Sequence, residues 1–229
     1  MQLPTRKNSV LAFTLVAIAS VSGSLLTSCV TSTSQSQAPN LATDASDKHQ
    51  NHQHGGMDHS MAMDLGPADT NYDLRFIDGM IPHHQGAILM AKEAQQKSKR
   101  PEIKKLADAI IKAQNQEITQ MKSWRTAWYP KAGDKPMAYD AHKGKMMEMS
   151  SAQVQAMMMN MDLGAADTEF DLRFINAMIP HHEGAVTMAQ DALQKSQRAE
   201  IKNLAQAIIK AQDTEIQQMK QWRQSWYNK

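Results

Sequence analysis

Met80-Ile81-Pro82-His83-His84-Gln85-Gly86-Ala87-Ile88-Leu89-Met90 returns 98 residues later as Met178-Ile179-Pro180-His181-His182-Glu183-Gly184-Ala185-Val186-Thr187-Met188. The recurrence extends outward on both sides. Residues 63–130 align with 161–228 without a gap, and 46 of 68 positions are identical. A repeat of this length means one supersecondary unit has been used twice. Within each copy the apolar residues recur at helical spacing. Phe76, Ile77, Met80, Ile81, Ala87, Ile88 and Ala91 mark a first helix ending near Ser98; Ile103, Leu106, Ala107, Ile110, Met121, Trp124 and Trp128 mark a second over about 101–128. Thr70 with Asp73, and Thr168 with Asp171, have the spacing of a capping box at a helix start. Pro101 falls in the first turn of the second helix, where proline is tolerated. The short Ser98-Lys99-Arg100-Pro101 turn makes each copy an antiparallel hairpin. One hairpin cannot cover both apolar stripes, so the expected fold is all-α: two tandem antiparallel helical hairpins forming a ferritin-like four-helix bundle. Helix one of each is expected to kink at Pro82 or Pro180.

Composition agrees. Aromatics are 5% of the chain, glycines number 10, and Ala, Gln, Lys, Ile and Met dominate, which favours helix over strand. The formal charge of +2 comes from Arg6 and Lys7, the only charged residues of 1–28; without them 23 basic groups face 23 acidic ones. No basic stripe remains that would suit nucleic acid.

The regions outside the repeat have their own signatures. Arg6 and Lys7 precede an apolar run, Val10 to Val21, and then small residues, the layout of a secretory signal over 1–28. Leu26-Thr27-Ser28-Cys29 resembles a bacterial lipoprotein box. Cys29, the only cysteine, would be lipidated, placing an exported protein at the bacterial cell envelope or periplasm with the lipid as its only membrane contact. Residues 29–62 form a polar tether expected to be disordered. Its second half carries His49, His52, His54, Met57 and His59, followed by Met61 and Met63, an auxiliary metal-binding tract. The first repeat is 63–130, the Met-rich connector 131–160 and the second repeat 161–229. The connector starts loop-like at Ala132-Gly133-Asp134-Lys135-Pro136, and part of its later Met-rich stretch is expected to be helical.

Chemistry concentrates at the quoted motif. Proline inside a helix lacks an N–H and clashes with the carbonyl four residues back, costing ~3 kcal/mol. Tolerating that twice, beside a histidine pair, points to a functional constraint. Met80 neighbours both His83 and His84 on one helix face. Met90 returns to that face but lies ~10 Å along the axis, which suggests a separate centre. If residues 97 and 101 face each other across the turn, Met80 faces position 118, between Glu117 and Met121. Gln114 and Glu117 are polar intrusions on an apolar stripe, and a buried carboxylate must be paired, hydrogen-bonded or metal-bound. The candidate metal site is therefore Met80, His83, His84, Met90, Glu117 and Met121, repeated as Met178, His181, His182, Met188, Glu215 and Met219. Two plainer readings stay open. The methionines at 90, 121, 188 and 219 also suit core packing, and the two glutamates could hold an imidazole N–H instead of a metal. Thioether with imidazole selects a soft ion, Cu(I) first, with Ag(I) as its mimic. Zinc fits less well because it leaves the methionines unexplained.

The pattern Asp73…Phe76…Met80-Ile-Pro-His83-His84-Gln-Gly-Ala…Met90-Ala, then Leu106-Ala…Ile110…Gln114…Glu117-Ile…Met121…Trp124…Trp128-Tyr, resembles the domain of unknown function 305 family, and recurs from Asp171 to Tyr227. The resemblance implies helical hairpins that bind Cu(I) and Ag(I) through Met80, His83, His84, Met90, Met121 and their counterparts, with a role in copper resistance. Gly79, replaced by Ala177, and Gln85, replaced by Glu183, depart from strict repetition beside the site. The expectation is a non-enzymatic protein that sequesters or shuttles copper, handing it to a copper-transport or efflux partner. Its affinity is expected to fall below pH ~6.5, the ordinary histidine value. The alternative is a metal-independent periplasmic chaperone or interaction module with Met-rich faces. A di-iron oxidase would need Glu-x-x-His motifs, which the chain lacks.

Overall fold

The computed structural model describes residues 64–229. Cys29, the signal segment and the tether with His49, His52, His54, Met57, His59, Met61 and Met63 lie outside the described residues. The elements in chain order are α1 (Tyr72–Lys97), α2 (Pro101–Trp128), β1 (Met137–Asp140), β2 (Lys145–Glu148), α3 (Ser151–Met158), α4 (Phe170–Lys195) and α5 (Ala199–Tyr227). The protein is a helical bundle of two hairpins, α1–α2 and α4–α5, joined by a small connector module. Among the described residues no helix is long and apolar enough to cross a membrane.

The helices divide into two kinds. α2 buries one stripe, Ile103, Leu106, Ala107, Ile110, Gln114, Ile118 and Met121, and α5 buries the equivalent residues. Such one-sided helices are the outer layer. α1 is buried continuously from Tyr72 to Met80 and again through most of 82–94, because α2, α4, α3 and β1 all pack on it. α1 and α4 run antiparallel and cross at His83 and His181. One apolar cluster joins the second half of α1 (Ala87, Met90, Ala91) to the first half of α4 (Phe174, Ile175, Met178). The other joins Phe76, Ile77 and Met80 to Ala185, Met188 and Ala189. Each large side chain fully buried here contributes roughly 1.5–3 kcal/mol. Both prolines lie inside α1 and α4, which continue through them as single helices.

Helix starts differ from expectation. The residues before α1 and α4 are Asn71 and Glu169, and neither makes a side-chain cap. The Thr70/Asp73 and Thr168/Asp171 capping boxes do not form, because the helices begin too late for that spacing. Asp69 and Asp167 organise these turns instead, accepting from the backbone N–H two residues on. Arg75, fully buried, ties the same loop down by donating to Leu65 O at 2.5 Å and Pro67 O at 2.7 Å and pairing with Asp69 at 2.9 Å. Asp73 and Asp171 face the opposite hairpin. Arg198 approaches Asp73 at 3.5 Å and stacks 4.2 Å over Trp128, while Arg100 approaches Asp171 at 3.5 Å and stacks 4.1 Å over Trp226. Each hairpin turn is thus clasped by the tail of the other hairpin. The tryptophans at these tails are half-buried, not core.

The connector is loop over 132–136, as expected, but the Met-rich stretch after it opens with a β-hairpin, where the expectation was helix in part. β1 and β2 pair antiparallel with Met137 opposite Glu148 and Tyr139 opposite Met146. Four-residue strands are too short for period-2 alternation to show in sequence, and docking rather than propensity holds them. Asp78 on α1 accepts from Met137 N at 2.8 Å and from Arg125 Nε at 2.5 Å, while Arg125 also donates to the carbonyls of Gly133 and Lys135. The second copy has Asn176 facing Arg223 at 3.3 Å. α3 is the expected helical part of the connector, and it starts with a complete capping box at Ser150 and Gln153. Its last turn lies so close to α1 that a Cβ on Gly86 would come 1.7 Å from the carbonyl oxygen of Met158, whereas a Cβ on Gly79 would meet Leu65 at an ordinary 3.4 Å. Gly86→Ala should therefore undock α3 and cost roughly 1–3 kcal/mol, the range of overpacked cores. Gly79→Ala, which copies Ala177, should be nearly neutral. Amide exchange across 151–158 together with chemical denaturation checks both.

Candidate metal centre

At the α1–α4 crossing the four motif histidines are buried together; none is more than 1% exposed. The His83 and His181 rings meet with centroids 3.9 Å apart, and His84 and His182 stand 6.5 and 6.3 Å from their neighbours. Water does not reach these rings, yet much of their hydrogen-bonding capacity is unused. His83 Nδ1 and Nε2, and the Nδ1 atoms of His84, His181 and His182, have no partner. Five buried imidazole nitrogens without partners are costly in a protein interior unless something else fills them.

The partnered nitrogens set the tautomers. His84 Nε2 lies 2.7 Å from Glu117 Oε2, and His182 Nε2 lies 2.7 Å from Glu215 Oε2. An ionised carboxylate only accepts, so the N–H is on Nε2 and a neutral ring keeps its Nδ1 lone pair free. His181 Nε2 donates to Met158 O at 3.0 Å, again leaving Nδ1 as the open lone pair. His83 has no such partner, so the two copies are inequivalent at this point. Burial pushes the His83 pKa well below the ordinary 6.5, helped by the neighbouring His181. Burial and then His182 push His181 down to about 3. Both rings are neutral at physiological pH, the form a metal requires. The fall in affinity expected below pH ~6.5 therefore does not follow from these two rings, because desolvation moves their titration far lower.

The hairpin register also differs from the simple estimate. Asp78 meets Arg125, and His84 meets Glu117, so residues across the turn sum to a few more than 198. The three residues between α1 and α2 shift the pairing by about one turn. Met80 shares its buried cluster with Met121 of its own hairpin and with Met188 of the other. Met178 and Met219 share theirs with Met90. The antiparallel crossing causes this exchange: the residue three before His83 falls in one cluster with the residue seven after His181. Each methionine group is thus drawn from both repeats, with the histidines between the two groups. All six methionines are fully buried.

Sequence reasoning missed three contributors. Met149 and Met157, both from the connector, join the Met80 cluster, and the Met158 carbonyl holds His181. Met-richness of the connector was the available signal, but no periodicity linked it to the histidines. Gln114 and Gln212 are 3% exposed with Oε1 unpartnered, one turn from Glu117 and Glu215. Among the described residues no three His, Cys, Asp or Glu side chains group as a ready-made cage. The donor set, neutral imidazole plus buried thioether, fits a soft monovalent ion and suits a hard divalent one poorly.

Comparison with known proteins places the chain. The family described as Domain of unknown function (DUF305) matches residues 24–125 and 73–223. The solved structure of CopM in the Cu(I)-bound form is 41% identical, with 68% of this chain and 97% of that chain covered and a TM-score of 0.53. CopM in the Ag-bound form obtained by soaking is 39% identical with a TM-score of 0.54, and in the Cu(II)-bound form 43% identical with a TM-score of 0.54, at the same coverage. Uncharacterized protein L153 of Acanthamoeba polyphaga mimivirus is 47% identical over 51 residues, 22% of this chain. The match spans about a third (34%) of that curated relative's length.

Proposed function

The chain belongs to the DUF305 family, and on that premise we propose that it binds Cu(I), with Ag(I) as mimic, and sequesters or shuttles it as cargo without catalysing a reaction. The observation that carries this is the set of five unpartnered imidazole nitrogens lying between two buried methionine groups. Similarity to CopM, solved with Cu(I), Cu(II) and Ag bound, supports the choice of metal. Zinc remains the poorer fit to these donors. A chaperone reading would need exposed methionine faces, whereas the six core methionines are fully buried. Arg6, Lys7 and the apolar run after them support export, and the box ending at Cys29 supports a lipid anchor. The His/Met tract at 49–63 then suits capture at the envelope and delivery to the core, or release to a transport or efflux partner.

Competition against a chromophoric Cu(I) chelator under anaerobic conditions tests the reading. The protein should withdraw Cu(I) and Ag(I) and leave Zn(II) largely to a matched chelator. No withdrawal of Cu(I) would overturn it. The glutamates provide a graded check. Glu117→Ala or Glu215→Ala frees an imidazole that the carboxylate orients, and loss of such a partner lowers metal affinity roughly 10–100-fold. Glu117→Gln keeps an oxygen acceptor for Nε2–H and should recover much of that loss in the same competition assay.

A further inference from the structure

The two methionine groups are related by the repeat, but the connector touches only one of them. We propose that Met157, backed by Met149, is an additional thioether ligand that makes the Met80 group the stronger of two soft-metal sites, a division of labour that rests on the copper-binding reading above.

Several observations converge on this. The Met80 group holds five buried methionines, Met80, Met121, Met149, Met157 and Met188. The Met178 group holds three, Met90, Met178 and Met219. The two extra ones come from a segment that occurs once in the chain, so repetition does not explain them. Met157 is 5% exposed on the last turn of α3, a helix that buries no other residue. Its sulfur lies 4.0 Å, and its methyl 3.6 Å, from where a Cβ on Gly79 would stand, against the backbone of the residue preceding Met80.

The segment carrying Met157 is held at both ends. Ser150 and Gln153 cap its start, and His181 Nε2 donates to Met158 O just past Met157. Met149 N donates to Pro136 O at 2.7 Å, fixing the second thioether from the strand side. A thioether is a neutral, soft donor whose affinity for monovalent copper or silver grows with the number of sulfurs that converge. A site with a fourth sulfur available, and a fifth behind it, fills before one restricted to three. The same connector carbonyl engages His181 and leaves His83 open on both nitrogens, which further separates the two sites.

The test uses the full-length metal-free protein, Ag(I) as a redox-inert probe, and methionine methyl resonances assigned by single substitutions. These resonances report each site separately, apart from metal taken up by the tether. The expected result is that the first equivalent bound in the core shifts the methyls of Met80, Met121, Met188 and Met157 together, and a later one shifts Met90, Met178 and Met219. Met157→Leu, close in volume and apolar, should weaken the first step tenfold or more and leave the second unchanged, with thermal unfolding little altered. Adding Met149→Leu should bring the two steps close together. The proposal is overturned if the Met157 methyl stays fixed while Met80 responds, if Met157→Leu changes neither step, or if it lowers both equally. If no core methionine methyl responds to Ag(I), the copper-binding reading itself fails, and the silent Met80 resonance identifies that case.

Discussion

Replacing His83, His84, His181 and His182 together by leucine is expected to lower core Cu(I) affinity by more than about 10³-fold, a loss above about 4 kcal/mol. The four rings supply every unpartnered imidazole nitrogen at the α1–α4 crossing, so their removal leaves thioethers alone. Glu117 and Glu215 lose their partners but remain 18% and 19% exposed, enough for water to solvate them. The helices should survive, since leucine fits a buried helical position and removes the unsatisfied polar atoms. Competition titration reads the affinity and circular dichroism the fold. An unchanged dissociation constant for the core would show that the histidines are packing residues.

Acidifying the metal-free protein from pH 7.5 to 4.5 is expected to lower its folding stability steadily through His83 and His181. Both folded-state pKa values are depressed by burial, that of His181 to about 3. Between those values and the unfolded value near 6.5, the unfolded chain binds more protons than the folded one. Falling pH through that window therefore favours unfolding, at up to about 1.4 kcal/mol per pH unit for each ring. Stability is full above 6.5 and declines steadily below it. Against a total of about 5–15 kcal/mol for a typical domain, the loss is large. The His83→Leu/His181→Leu double variant should lose this slope and exceed the natural protein in stability at pH 5. Parallel slopes for the two proteins in denaturant titrations across pH 7.5–4.5 would refute the assignment. Bound copper excludes the protons, so the loaded protein should resist acid better than the empty one.

Helical periodicity and the repeat make α1, α2, α4 and α5 legible in the sequence, because both are properties of neighbouring residues. The donor types are legible for the same reason: Met80, His83 and His84 occupy adjacent turns of one helix, and Gln114 and Glu117 interrupt an apolar stripe. The β-hairpin is not legible, since four-residue strands acquire their stability from Asp78 and Arg125, distant in the chain. The capping boxes mislead because spacing alone does not locate the first helical residue; Arg75 and Asp69 do so through contacts of the folded loop.

By itself, then, the sequence determined that two helical hairpins would each carry a proline, a histidine pair and well-spaced methionines. Which donors meet was decided only by tertiary structure. The antiparallel crossing of α1 and α4 brings Met188 to Met80 and Met90 to Met178. The turn geometry sets Glu117 against His84, and the connector brings Met157 and the Met158 carbonyl to one copy alone. The physical reason is separation along the chain. Local pattern records which face of a helix is apolar, but the register between helices follows from packing their side chains together, and no short window of sequence contains both partners.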